Sequence, residues 1–164
     1  MSRWRHALAI AALPGTVTVM VPALLIARDG PRAGWGLGGV AAALLVLLGV
    51  ALIAVGLALW VWTVRLFAQI GKGTLAPWDP TRRLVARGPY RYVRNPMISG
   101  VATILLGEAA VFGRPSLLIW LAVFVAINHM FLLLVEEPGL IARFGDEYRD
   151  YKRNVPRWIP RRTP

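Results

Sequence analysis

The chain has no cysteine, only two histidines (His6 and His129) and only two lysines (Lys72 and Lys152). Without cysteine there is no disulfide framework, no thiolate metal site and no thiol nucleophile. The two histidines stand far apart and form no ligand cluster, so no metal is expected. Acidic residues are scarce as well, 8 against 19 basic ones, leaving a net charge of +11. An excess of this size can signal nucleic acid. Here the charges fall between long apolar runs, so membrane lipid headgroups are the expected partner and nucleic acid is not. A hydrophobic fraction of 57% and a mean hydropathy of +0.56 exceed those of an ordinary soluble domain. The 164 residues form one membrane domain, with little outside its spans.

Four apolar runs are long enough to be read as spans. Ala7–Ala27 carries Pro14, Gly15 and Pro22 and stops at Arg28-Asp-Gly-Pro31. A signal peptide shares its basic start, but the run is long for one and no clean small-x-small site follows, so a retained, kinked span is expected. Leu37–Val64 would reach about 42 Å as a helix and must tilt or project. Gly49 and Gly56 give it a small face for close packing, and Trp60 and Trp62 mark an interface. Met97–Phe112 holds Glu108, and Ser116–Val135 holds Asn128 and His129. The fold class is therefore all-α: an integral membrane helical bundle of about four transmembrane helices.

Basic residues sort two at the N-terminus, two after the first run, seven in 65–95, one after the third run and seven in the tail. That pattern places both termini and the long loop in the cytoplasm, in a bacterial inner membrane. The tail adds an amphipathic cytoplasmic helix, with Leu140, Ile141, Phe144, Tyr148 and Tyr151 at three- to four-residue spacing and charges between them. Gly145 weakens it, and Pro156 and Pro160 end it. The loop contains Gly71-Lys-Gly-Thr74, which lacks the first glycine and the preceding strand of a phosphate loop.

Two features carry chemistry. The segment Arg87-Gly-Pro-Tyr-Arg-Tyr-Val-Arg-Asn-Pro-Met-Ile-Ser-Gly100 is rigid and polar and leads straight into an apolar run. Pro89 and Pro96 push Gly88 and Asn95 toward extended backbone, and Gly88 and Gly100 leave room for close approach. Glu136-Glu137 sits where the fourth run ends; acids at a helix C-terminus oppose its dipole unless cations lie nearby. His129 lies two turns earlier on nearly the same face. A structural salt-bridge network is the competing account of these residues on spacing alone. Glu108, costly in hydrocarbon, is also the natural coupling acid of a small transporter.

The stretches 71–80, Leu84-Val85 and 87–97 with Gly100, followed by Glu136-Glu137, Leu140, Phe144-Gly145, Tyr148, Tyr151 and 155–160, resemble the core of the isoprenylcysteine carboxyl methyltransferase family, a relative of the membrane phospholipid methyltransferases. The resemblance covers roughly residues 65–160; residues 1–64 match only in hydropathy. It implies transfer of a methyl group from S-adenosylmethionine to a lipophilic small molecule or lipidated group entering from the bilayer. A carboxylate of an isoprenylcysteine-like or other isoprenoid or lipid acceptor is the expected target. Carried over, Arg94 and Glu137 are the catalytic candidates, and Tyr90, Arg94, Asn95, Pro96, Gly100, Glu136, Glu137 and Arg157 the cofactor-binding ones. Asn95 stands where the eukaryotic enzymes commonly have histidine, and Ile98 where the family usually has tyrosine. Membrane sterol reductases share a similar C-terminal pattern and use a nicotinamide cofactor, but the Glu-Glu pair fits the methyltransferases better. A carboxylate acceptor needs no general base, whereas an amine does, and His129 is the nearby group of suitable chemistry.

Overall fold

A computed structural model describes residues 14–71 and 83–162, and these contain helices and no strand. A wide π-type turn, Thr16–Met20, leads into α1 (Val21–Asp29), followed by a short turn, Ala33–Gly36. Helix α2 (Gly39–Leu66) is continued by a second wide turn, Phe67–Gly71. Gly88–Arg91 is a single tight turn before α3 (Pro96–Phe112). Helix α4 (Pro115–Phe131) passes through a wide turn, Leu132–Glu136, into α5 (Glu137–Phe144), and α6 (Asp146–Asn154) follows. Two helical stretches, Gly39–Leu66 and Pro115–Phe144, are long and apolar enough to cross a membrane; Pro96–Phe112 is apolar but shorter. The first expected span lies partly outside the described residues, as do Gly-Lys-Gly-Thr residues 72–74.

The apolar side chains of α2 are directed outward. Val40, Leu44 and Leu47 are 76%, 61% and 65% exposed. A soluble protein would bury such a stripe, whereas in a bilayer it meets acyl chains at no cost. The chain is thus membrane-associated and all-helical in its described part.

Contacts divide the chain into two compact units. In the first, which takes in the described residues up to Ala58 together with Gly100–Val125, α2 and α3 meet through two glycine pairs. A Cβ on Gly49 would lie 2.7 Å from the Gly107 carbonyl oxygen, and one on Gly56 would lie 2.6 Å from that of Gly100. Each pair is seven residues from the next on both helices, in opposite directions, so the two helices run antiparallel with backbones in contact. Leu105 and Leu117 fill the interior of this unit at 1% exposure each. The Arg32 N–H donates to the Phe112 carbonyl at 2.9 Å, and Trp120 Nε1 donates to the Val17 carbonyl at 3.0 Å.

The second unit comprises Leu59–Ser99 and Ala126–Pro164. Its elements depart from the sequence expectations in three places. Helix α2 and its wide turn carry the helical path past Val64 to Gly71, because Leu66, Phe67 and Ile70 prolong the apolar run and Phe67 stacks on Tyr90 at 5.6 Å. Gly88 is not extended. It has φ +57°, a region closed to most residues, and opens the turn that carries Tyr90. The fourth helix does not end at Val135. Pro138 lies at the start of α5, where a missing N–H costs little, and the wide turn before it closes with the Glu137 N–H on the Leu132 carbonyl. Glu136 and Glu137 consequently lie within one helical path, and the dipole argument for a helix end does not apply to them. The amphipathic tail is present but broken at Gly145 (φ +55°) into α5 and α6.

Gly107→Val should separate the α2–α3 contact and destabilise the protein by about 1–3 kcal/mol. Gly139→Ala, where an added Cβ meets nothing within 4 Å, should be neutral or mildly stabilising. Thermal midpoints in detergent will distinguish the two.

Candidate functional site

Among the described residues Glu137 is the one buried acid, 4% exposed, and it lies in the second unit. Its burial follows from the wide turn Leu132–Glu136, which rotates the face of everything after it. Its Oε1 accepts from Arg94 Nη1 at 2.7 Å and from Arg157 Nε at 2.9 Å, and its Oε2 faces Lys152 Nζ at 2.7 Å. The side chains of Arg94, Arg157 and Lys152 are 10%, 22% and 38% exposed, so water screens the Lys152 pairing most. Three cations meet one carboxylate, and with Glu136 one residue away the described side chains still carry one net positive charge. The Nε of Arg94 is buried and has no hydrogen-bond acceptor among the described residues, although the Tyr148 side chain lies beside the guanidinium.

The segment carrying Arg94 is held by the end of the described chain. Its N–H donates to the Pro156 carbonyl at 2.9 Å, and the Arg161 N–H donates to the Tyr92 carbonyl at 3.0 Å. Arg161 Nε adds a bond to the Arg91 carbonyl at 2.7 Å, and the Tyr151 hydroxyl donates to the Tyr90 carbonyl at 2.7 Å. Asn95 Nδ2 makes a long contact, 3.4 Å, to the Arg157 carbonyl. Residues 155–161 therefore strap across 91–95. Trp158 Nε1 donates to His129 Nδ1 at 3.1 Å and fixes the strap to α4. Because indole nitrogen only donates, His129 must keep its lone pair on Nδ1 and its proton on Nε2. It thus presents a donor there, not a base.

Of the eight residues singled out by the resemblance, the structure brings Arg94, Asn95, Glu137 and Arg157 into one hydrogen-bonded group. Tyr90 adjoins it through Tyr151, and Pro96 is buried at the start of α3. Glu136 lies within electrostatic reach of Glu137 and Tyr90 and makes no ion pair with a described residue. Gly100 belongs to the other unit, where it packs against Gly56. Glu108 is in that unit too, with Oε2 buried and unpartnered. Sequence reasoning missed Lys152 and Trp158. Lys152 was legible in principle, being four residues after Tyr148 on the same face of α6.

Three tyrosines surround this group. Burial pushes the hydroxyl of Tyr90 well up, with the Glu136 charge adding to it. Burial and then the Glu137 charge raise Tyr148, and burial and then Tyr148 raise Tyr151. All three stay protonated across the neutral range.

The profile of the family described as phospholipid methyltransferase matches residues 44–147, more than half of the chain. Over 75 residues the chain is 36% identical to a protein named methanethiol S-methyltransferase 2 from Bradyrhizobium diazoefficiens, covering 44% of this chain and 27% of that one. Over 63 residues it is 46% identical to an uncharacterized protein of Haemophilus influenzae, covering 38% of this chain and the whole of that one. The chain thus spans about a quarter of the named relative's length. No solved structure matches at comparable significance.

Glu137→Gln leaves three cations around a neutral group and should cost about 3–5 kcal/mol. Lys152→Met should cost much less, its side chain being more than a third exposed. A thermal midpoint unchanged by Glu137→Gln would contradict this arrangement. The raised tyrosines carry a sign as well. The unfolded chain loses phenolic protons near pH 10 while the folded one retains them. Stability should be level from neutral pH to about 10 and fall above it, and a thermal midpoint series against pH, with Tyr151→Phe showing a shallower fall, checks this.

Proposed function

Given that the chain belongs to the phospholipid methyltransferase family, we propose that it transfers a methyl group from S-adenosylmethionine to a lipophilic acceptor that reacts as an anion, a carboxylate in the first instance. The observation that carries this reading is the charge arrangement around Glu137: more cations than acids, a buried Arg94 donor with no acceptor among the described residues, and a nearby Glu136 with no ion pair to a described residue. The amino-acid end of S-adenosylmethionine bears one carboxylate and one ammonium, which matches this complementary pair. When bound, the cofactor supplies a sulfonium methyl group.

In this reading Glu137 does not hold the ligand directly. It gathers Arg94, Arg157 and Lys152 at one place, and Arg94 presents its guanidinium to a carboxylate. Glu136 receives the ammonium. Alignment, which dominates an in-line displacement, comes from the strap 155–161 fixing both Arg94 and His129. An acceptor that is already ionised would need no proton removed, so these residues would have only to hold it in line with the methyl group that the bound cofactor would supply. The bond from Trp158 to His129 supports this choice, since it occupies the lone pair that an amine acceptor would need as its base. A thiol, ionising near pH 8.5, is the second reading, favoured by the likeness to a protein named methanethiol S-methyltransferase 2. Family membership favours neither the transporter nor the reductase reading. The acceptor enters from the bilayer, and the cytoplasmic face of an inner membrane is the place proposed for the site.

Calorimetry with S-adenosylmethionine on detergent-solubilised protein should give micromolar binding. Glu136→Gln should weaken it at least tenfold at an unchanged thermal midpoint. Absence of binding by well-folded wild type would sink the proposal. With labelled cofactor, isoprenoid carboxylates and thiols should be methylated and lipid amines should not.

A further inference from the structure

The bond that ties the strap to α4 leaves one polar group of His129 unused. The imidazole is half-buried and accepts through Nδ1 from the Trp158 indole, with the two rings 6.0 Å apart and tilted by 38°. An indole nitrogen only donates, so Nδ1 keeps its lone pair and the ring proton sits on Nε2. That Nε2 makes no hydrogen bond with a described residue. The helix around it is apolar. Ala126, one turn before, and Leu133, one turn after, are exposed, as is Met130 beside it. In a bilayer these three meet acyl chains, so His129 offers an N–H at the border of a lipid-facing surface. A donor beside hydrocarbon is costly to leave unpaired. The arginines of the strap are engaged elsewhere, Arg157 with Glu137 and Arg161 with backbone carbonyls.

We propose that His129 Nε2–H holds the anionic group of the methyl acceptor, and that Trp158 is a positioning residue that sets the tautomer and orientation of the imidazole. This rests on the anionic-acceptor reading of the site and adds to it the residue that receives the acceptor. A hydrogen bond to a carboxylate oxygen is roughly twice as strong as one between neutral groups, and a low-dielectric surrounding strengthens it further. The same N–H repels an ammonium, so the fixed tautomer selects against amines by binding as well as by withholding a base. An acceptor whose apolar chain lies along Ala126, Met130 and Leu133 brings its charged end to the donor without leaving the bilayer. Trp158 directly follows Arg157, so the segment that delivers a guanidinium to Glu137 also orients the imidazole.

The test is NMR of detergent-solubilised protein carrying nitrogen-labelled histidine, with the His6 signal assigned by His6→Gln and with affinities read by calorimetry. The probe is farnesoic acid, beside farnesol, farnesylamine and acetate, without S-adenosylmethionine. In wild type Nδ1 should be unprotonated and Nε2 protonated, and farnesoic acid should shift Nε2 while the other three at equal concentration leave it in place. His129→Asn keeps an oxygen where Nδ1 accepts and removes the donor at Nε2. It should bind farnesoic acid at least tenfold more weakly at an unchanged thermal midpoint. His129→Gln carries an N–H out to the Nε2 position and gives up the acceptor for the indole. It should bind several-fold more tightly than His129→Asn although its midpoint is lower. Trp158→Phe should show both tautomers and bind farnesoic acid several-fold more weakly than wild type. Equal binding by His129→Asn, an Nε2 signal that farnesoic acid does not move or that acetate moves as far, or a proton on Nδ1 of wild type would each overturn the inference. With no methyl donor present, any of these results beside intact S-adenosylmethionine binding sinks the role of His129 alone and leaves the methyltransferase reading standing.

Discussion

The second unit depends on a single buried carboxylate. Removing Glu137 from water is costly, and the cost is offset only because Arg94, Arg157 and Lys152 converge on its two oxygens. The three cations come from three different parts of the chain: the segment before α3, the C-terminal strap and α6. Their convergence is therefore a tertiary constraint. It holds the 91–95 segment beneath the strap and the strap against α4, through the Arg94 to Pro156 and Trp158 to His129 bonds.

The surplus of positive charge is as informative as the pairing. A network built for stability alone would approach neutrality, since each uncompensated buried charge carries a desolvation penalty. Here a positive charge remains in excess even with Glu136 counted, one guanidinium nitrogen has no acceptor among the described residues, and Glu136 makes no ion pair with one. Such an incomplete network is what a binding site for a charged ligand requires before the ligand arrives. The membership of the chain in the phospholipid methyltransferase family gives that ligand a chemical class.

Much of this organisation is legible in the sequence. The two long apolar helices follow from apolar run length, and the less exposed face of the tail follows from the spacing of Leu140, Ile141, Phe144, Tyr148 and Tyr151. The limits are equally physical. Pro138 and the paired acids read as a helix end, because a local pattern cannot show that a wide turn will absorb the proline and bury Glu137. Gly100 reads as a ligand contact until Gly56 is seen opposite it. The seven-residue spacings of Gly49 with Gly56 and of Gly100 with Gly107 are visible in one dimension, but their pairing is not. The spacing of Lys152 from Tyr148 puts it on the inner face of its own helix, but its pairing with Glu137, a full helix earlier, is tertiary.

The convergence on Glu137 also makes the neighbourhood unequal in how it can diverge. Replacing any one of the three cations leaves the acid with two partners, so a lineage can lose one and drift on. Replacing the acid strands all three at once, and no single compensating change restores them. Among descendants of this chain, the glutamate should be the slow clock of its neighbourhood and its partly exposed lysine the fast one.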